Sequence, residues 1–512
     1  MDGRELLYLA LSTIIFTLLL YNWRQSSRRT LVRPPTPTRL PLIGNLLSLP
    51  PGSEHVAYTK LGDQLKSDIV FLEMLGLNII VLNSAEDATE LLEKRAARFS
   101  DRISARALAH PDLFDWPNSV AFLPYNDIWR FQRRMLNGLL NLKAVPKFHN
   151  LQEHHARCLL QRLLELTHHP QQFEGVKKEI FYLLESTMAS PMFKLAYGYD
   201  LQGKDDSFLR EATLTLYNGF RAVMFANFYV NFIPALMYVP GWFPGAGWKR
   251  KLRAWRAQKD QAISAPYNWV KERVADGTAQ SSVLGAILQD SSLYSGLSPD
   301  IRDNNLEQLG IMIHAGKQSS TALLNFVAAM TLYPNIQEKA QLELDTVLGP
   351  GTIPTISDRE RLPYINNLIL ELFRWRPILP IAIPHVCYED DVYKGYDILK
   401  GDIVAMGRDK SIYANPEEFN PDRFLDPNVP SAPVFGWGRR KCPGLHFGEA
   451  SAFIVLTSIL SMFKISKWVG RKFTQRSRIL LTLLLCDLLI LSSNQDLRDI
   501  ASLCSRRFNI KT

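Results

Sequence analysis

A mainly α-helical fold with small β-sheets, preceded by one membrane-spanning helix, is what this 512-residue sequence predicts. Three observations predict it. Residues 6–23 (LLYLALSTIIFTLLLYNW) run 18 positions without a charge. Seven later segments repeat apolar residues at three- and four-residue spacing, the period of a helix with one buried face. Only a few short stretches read as strands. A content of 46 % hydrophobic and 21 % charged residues belongs to an ordinary folded chain and excludes disordered and collagen-like classes.

The formal net charge of +9 raises nucleic acid or an anionic membrane as a partner. Its location decides between them. Residues 1–40 hold six bases against two acids, and residues 464–512 hold ten against three. The remaining 43 bases and 45 acids leave residues 41–463 almost neutral. The body shows no basic stripe interleaved with aromatics, so no nucleic-acid partner is expected. Five cysteines without a CxxC pair argue against a disulfide framework and a structural zinc site.

Taken in order, residues 1–5 form a lumenal end and 6–23 an uncleaved anchor. At 1.5 Å per residue this helix reaches ~27 Å, enough for a thin bilayer such as the endoplasmic reticulum. Arg24, Arg28, Arg29 and Arg33 follow the span and place the downstream chain in the cytoplasm, while Tyr21 and Trp23 suit the interface. Residues 24–50 are basic and proline-rich, a stiff hinge. The body, 51–463, shows no further linker or repeat. Helical patterns cover 86–98, 127–142, 151–166, 176–195, 306–332, 336–348 and 364–375. Strand patterns cover 69–75 with 78–82, and 391–398. Proline-punctuated loops fill 377–384 and 416–433.

Chemistry concentrates in Phe435-Gly-Trp-Gly438-Arg-Arg440-Lys-Cys442-Pro-Gly444. Glycines on both sides of the cysteine make a tight loop whose amides can face the sulfur, and a helical pattern follows over 445–463. Both features lower a thiol's pKa. A buried structural cysteine is the alternative. Glu371-Leu-Phe-Arg374 puts an acid and a base one turn apart on a helix, which by itself is an ordinary surface ion pair.

Together with Phe419-Asn-Pro-Asp-Arg423-Phe424 and Trp129-Arg-Phe-Gln-Arg133, these motifs resemble the cytochrome P-450 superfamily as far as about residue 463. The resemblance implies a haem-thiolate monooxygenase with Cys442 as the iron ligand, Phe435 shielding the sulfur and Gly438 and Gly444 shaping the loop. It implies a buried structural cluster of Glu371, Arg374 and Arg423. Arg133, Arg440, Trp129 and His385 would hold the haem propionates, arginine being suited to carboxylates by its fork. A solvated loop histidine is the alternative for His385. The implied partners are an apolar small molecule, an NADPH-dependent cytochrome reductase or a cytochrome b-type donor, and the membrane. Arg130, Arg133, Arg134, Arg439 and Lys441 would form a basic docking face. The stretches Leu372–Pro377 and Pro384-His385 with Glu389-Asp390-Asp391 look most like fungal members of secondary-metabolite or xenobiotic pathways.

Departures from the pattern matter as much. On the oxygen-binding side the stretch is Ala315-Gly316-Lys317-Gln318-Ser319-Ser320, where the family usually has an acid at position 318. Ala315 and Gly316 leave room for oxygen, Ser319 keeps a hydroxyl, and Gln318 loses an ionisable group. His314 and Lys317 read as packing or solvated residues. Residues 401–409 and 423–435 look short beside the family. Residues 464–512 form an atypical basic and hydrophobic tail, with 479–491 reading as a buried or misplaced helix. The missing acid motivates a redox-independent isomerase or dehydratase as a rival function. The short loops and foreign tail motivate a silent haem-binding pseudoenzyme.

Overall fold

The computed structural model describes residues 31–41, 43–50, 53–168, 176–224, 227–290, 298–467 and 479–483. The anchor expected over residues 6–23 lies outside them. Residues 31–50 bind along the body: Val32 N–H donates to Asp397 Oδ2 (2.8 Å), and Arg33 pairs with Asp402. Pro35 O accepts from Phe71 N–H at 2.9 Å.

Helix α1 (Glu54–Leu65) leads into the hairpin β1 (Ile69–Met74) and β2 (Leu77–Leu82). Its turn is Leu75-Gly76, both with positive φ (50° and 85°), the geometry that matches strand twist. The other strands are β3 (Asp101–Arg102), β4 (His385–Val386), the hairpin β5 (Asp391–Tyr393) and β6 (Tyr396–Ile398), and β7 (Ile403–Met406). The main sheet has the order β1-β2-β7-β4-β3. Strand β7 runs parallel to β2, and β4 lies antiparallel to both β7 and β3. Its register sets Arg102 directly opposite His385.

Helices supply the bulk: α2 (Asp127–Leu140), α3 (His149–His168), α4 (Val176–Tyr197), α5 (Ser207–Val223), α6 (Gly247–Ala275), α7 (Pro299–His314), α8 (Ser320–Leu332), α9 (Pro334–Leu348), α10 (Pro363–Trp375) and α11 (Leu445–Met462). One apolar core joins α3, α4 and α8–α11 around Phe326, Leu368, Leu372 and Phe453. A second joins α2 and α4–α7 around Trp116, Phe193 and Tyr267. Among the described residues α11 alone is long and apolar enough to cross a membrane, but 72 % of it is buried inside the protein. It is the central core helix, placed directly behind the cysteine loop.

Four sequence expectations are corrected. The segment 86–98 is a short α-turn, Ala85–Ala88, continued by a wider π-turn over Thr89–Lys94. The expected helix over 306–332 is two helices, α7 and α8, joined by a 3₁₀ turn at Ala315–Ser319. Gly316 weakens helix at that point, and apolar periodicity continues through it, so the pattern alone hides the break. Helices α5 and α6 were not anticipated. The tail reading changes most: Ile479–Leu483 is a strand, β9, paired in parallel with β8 (Phe463–Lys467) in register Phe463↔Ile479 to Lys467↔Leu483. A short Ile/Leu run carries no period that separates strand from helix.

Candidate active site

Helix α10 brings Glu371 and Arg374 to one face, and the carboxylate is fully buried. Arg374 grips it with two parallel bonds, Nε to Oε2 at 2.6 Å and Nη2 to Oε1 at 2.9 Å. Arg423 Nε adds bonds of 3.1 Å to both oxygens, and Asn420 N–H one of 2.7 Å. The remaining guanidinium donors reach carbonyls of Pro416, Glu418 and Ala414. One carboxylate thus ties the end of α10 to the whole 414–423 loop. The default surface-pair reading of Glu371 and Arg374 does not hold, because almost no solvent reaches them.

The loop 435–444 turns on Gly436 and Gly438, with φ of 82° and 51°. A side chain at Gly438 would lie 2.1 Å from Leu92 O, so only glycine fits. Cys442 N–H donates to Phe435 O at 2.7 Å and closes the turn. Cys442 as a residue keeps accessible surface, although protein closely surrounds its thiol. Burial raises its pKa. The Gly444 amide and Arg133 act the other way but do not prevail, so the expectation of a lowered thiol pKa is reversed in the protein alone. Phe435 stacks edge-on against Phe373 at 5.6 Å.

Beside this loop is an accumulation of buried positive charge. Arg440 donates to Ser100 O (2.7 Å), Leu123 O (2.8 Å) and Val120 O (3.4 Å), and lies 4.4 Å from the centre of the Trp129 ring. Arg133, on the next turn of α2 from Trp129, donates to Lys441 O. His385 is buried, with Nδ1 2.6 Å from Phe99 O. Its pKa is pushed well down by burial and then by Arg102 and Arg440, so the solvated-loop alternative fails.

Arg102 was missed by sequence reasoning. It is buried, donates through Nη1 to Ile383 O and Pro384 O, and leaves Nε without a partner. Its pKa falls through burial and through Arg440, with Asp101 opposing and Arg133 adding to the fall. Burial and Arg133 also push Arg440 down to about 9. Such a cluster is costly unless an anion joins it. No sequence signal marks Arg102, because its role depends on strand register.

On the opposite wall, Gly316 is exposed in the middle of the chain's buried helices, and Ala315 is half-buried. A Cβ on Gly316 would lie 2.7 Å from Met192 Sδ, so the bare glycine lets α4 pack against this turn. Gln318 and Ser319 are half-buried, and no described residue hydrogen-bonds to either side chain. A Cβ built on Gly448 would lie 3.5 Å from the Phe435 ring and 4.0 Å from Ser319 Oγ, so the turn and the cysteine helix meet there. Lys317 is buried and pairs with Glu185 on α4. His314 is wholly buried against Phe193, its ring nitrogens unpartnered and its pKa lowered to about 3 by desolvation and Lys317. Both are packing residues, not solvated ones.

A family model for cytochrome P-450 matches residues 34–483. The chain belongs to the cytochrome P-450 family. The match runs twenty residues past the point where the motifs fade and takes in β8 and β9. This cytochrome P-450 is 34 % identical over 467 residues to cytochrome P-450 monooxygenase 45 of Postia placenta, covering 89 % of this chain and 84 % of that one. It is 32 % identical to the tryptamine 4-monooxygenase of Psilocybe cyanescens, covering 87 % and 88 %. The fold resembles that of a zebra fish cytochrome P-450 solved with progesterone, with a TM-score of 0.65 at 23 % identity over 81 % of this chain and 94 % of that one.

The protein is therefore a haem-thiolate monooxygenase, and the isomerase and pseudoenzyme readings are not favoured. The cofactor of this family is haem, with cysteine thiolate as the iron ligand. The residues present fit such a group. Cys442 is exposed, and Arg102, Arg133 and Arg440 near it, with an unpartnered guanidinium N–H on Arg102, suit a dianion.

Proposed function

We propose that this cytochrome P-450 inserts one oxygen atom from O2 into an apolar organic substrate held on the side of the Ala315–Ser319 turn. One observation carries the reading: the buried cations Arg102 and Arg440 converge near an exposed cysteine, and Asp101 is the carboxylate that faces both. Haem bound there supplies the oxygen-activating chemistry. Cys442 would hold it through its thiolate, and Phe435 would shield the sulfur. Arg102, Arg133, Arg440 and His385 would receive its two carboxylates, with Trp129 stacked on Arg440. Ser319 offers a hydroxyl to position water on the oxygen side, while Gln318 can hold a water but cannot ionise.

Electrons come from an NADPH-dependent reductase or a cytochrome b-type donor. Arg130, Arg134, Arg439 and Lys441 are exposed around the cysteine loop and give an acidic partner a docking face. Arg133 is turned inward and does not join them. In the test, holoenzyme and reductase receive substrate under ¹⁸O2. NADPH consumption with label in the product is expected, and substrate conversion without NADPH would overturn the reading. In the same assay Gln318→Asp lowers the peroxide released per NADPH severalfold. An unchanged ratio would show that the missing acid at position 318 does not lower the coupling of NADPH use to product.

Membrane attachment belongs to the same proposal. Tyr238 (89 % exposed), Trp242 (79 %) and Phe243 present aromatic surface next to Arg250, Lys251 and Arg253 at the start of α6. Aromatics beside bases suit a membrane interface on the cytoplasmic side of the endoplasmic reticulum. In vesicles of brominated phospholipid, Trp242→Phe is expected to remove a large part of the quenchable tryptophan emission. Equal quenching in the variant excludes this face.

A further inference from the structure

We propose that the buried Lys317–Glu185 pair is a positioning element for oxygen activation. It clamps the Ala315–Ser319 turn to α4, so that the Ser319 hydroxyl and the Gln318 amide keep one placement. This role rests on the oxygenation proposed above, which employs those two side chains and leaves Lys317 without a task.

The residue types of the turn do not demand its shape. Ala315, Lys317 and Gln318 favour α-helix, and Gly316 is the weak member. Such a stretch could run straight from α7 into α8, as its apolar spacing suggests. It forms a 3₁₀ turn instead, so contacts from elsewhere in the fold bear on it. Two of them come from α4. Met192 Sδ occupies the space that a side chain at Gly316 would need, and Glu185 takes the Lys317 ammonium. Glu185 and Met192 lie about two helical turns apart on α4 and therefore share one face. Neighbouring residues of the turn are thus seated on a single stripe of that helix.

The pair suits a clamp better than a stabiliser. The Lys317 side chain is only 4 % exposed, against 24 % for Glu185. Two charges that leave water gain little over apolar side chains of the same volume. What they add is a fixed arrangement, because a buried ammonium must stay against its carboxylate and any slide or rotation strands it. The turn is sensitive to such a movement. An α-helix turns ~100° and rises ~1.5 Å per residue, while a 3₁₀ helix turns ~120° and rises ~2.0 Å. Over the two steps from Lys317 to Ser319, reversion to α-helix swings the hydroxyl by about 40° and shifts it by about 1 Å. A displacement of ~1 Å at a reacting centre can cost about a hundredfold in rate.

The double variant Lys317→Met with Glu185→Met removes both charges at similar volume and tests the clamp in the holoenzyme. Its urea midpoint should stay near that of the unsubstituted protein, since an apolar pair replaces a buried ionic one. Hydrogen–deuterium exchange of amides 315–320 should rise at least tenfold, with the amides of α11 unchanged. With reductase, NADPH and substrate, product formed per NADPH should fall at least threefold. Substrate KM and the reduced carbon monoxide spectrum should not move. A packing role alone would lower the urea midpoint and leave the yield per NADPH as it was. Each single variant should match the double in yield, because a clamp opens when either side is removed. Unchanged exchange at 315–320, an unchanged yield, or single-variant losses that multiply in the double variant overturn the proposal. Should the double variant fail to fold, Glu185→Gln carries the same two readouts. Absence of NADPH-dependent product in the unsubstituted protein would instead overturn the oxygenation, and exchange at 315–320 would still decide the clamp.

Discussion

Replacing Glu371 with alanine leaves no stably folded enzyme. The carboxylate is fully buried and accepts from Arg374, Arg423 and the Asn420 amide, so its removal strands two guanidinium charges among protein atoms. Breaking a buried ion pair from one side costs about 3–5 kcal/mol. Domains of ordinary stability have only ~5–15 kcal/mol in total. The loss here belongs at the upper end, because Asn420, Arg423 and the carbonyls of Ala414, Pro416 and Glu418 depend on the same anchor. That loop leads into the cysteine loop, so haem loading should fall together with stability. Glu371→Gln keeps the shape and loses the charge, and should still be severely destabilised. Urea unfolding and the yield of haem-loaded protein measure both effects. A midpoint equal to that of the unsubstituted protein would show that the cluster contributes nothing to the fold.

The Glu371–Arg374 pair was legible because both residues lie on one helix, three positions apart, where geometry follows from spacing alone. The glycine–cysteine loop was legible for a similar reason: its glycines meet local demands, a positive φ at Gly436 and the close carbonyl of Leu92 at Gly438. Arg102 was not. It meets His385 through the pairing of two-residue strands 283 positions apart, and no local period encodes such a register. The break at Ala315–Ser319 was hidden because apolar spacing continues across it, while the Lys317–Glu185 pair that accompanies it is a tertiary contact. Helix α6 escaped notice since polar residues surround most of it, with few apolar positions to set a phase. The direction of the Cys442 shift was misjudged for a related reason. The amide and charge that lower it are local, but the burial that raises it comes from the whole fold.

Cys442→Ser should separate chemistry from folding where the Glu371 variants cannot. The loop is closed by backbone and glycine geometry: Cys442 N–H to Phe435 O at 2.7 Å, with Gly436 and Gly438 in positive φ. Serine keeps all of these and changes one atom in an accessible side chain. The protein without haem should therefore unfold at nearly the same urea concentration as the unsubstituted chain. The ligand itself is lost. A thiol, even one raised by burial, can give up its proton when a cation binds the sulfur, since metal ligation favours the deprotonated form. A serine hydroxyl is a far weaker acid and does not supply the same anion near neutral pH. Arg102, Arg133 and Arg440 would still attract the haem carboxylates, so partial loading is expected without thiolate character. The reduced carbon monoxide difference spectrum should lose its thiolate-type band, and NADPH-dependent product formation should fall to background. A serine variant that retained both would show that Cys442 is not the ligand.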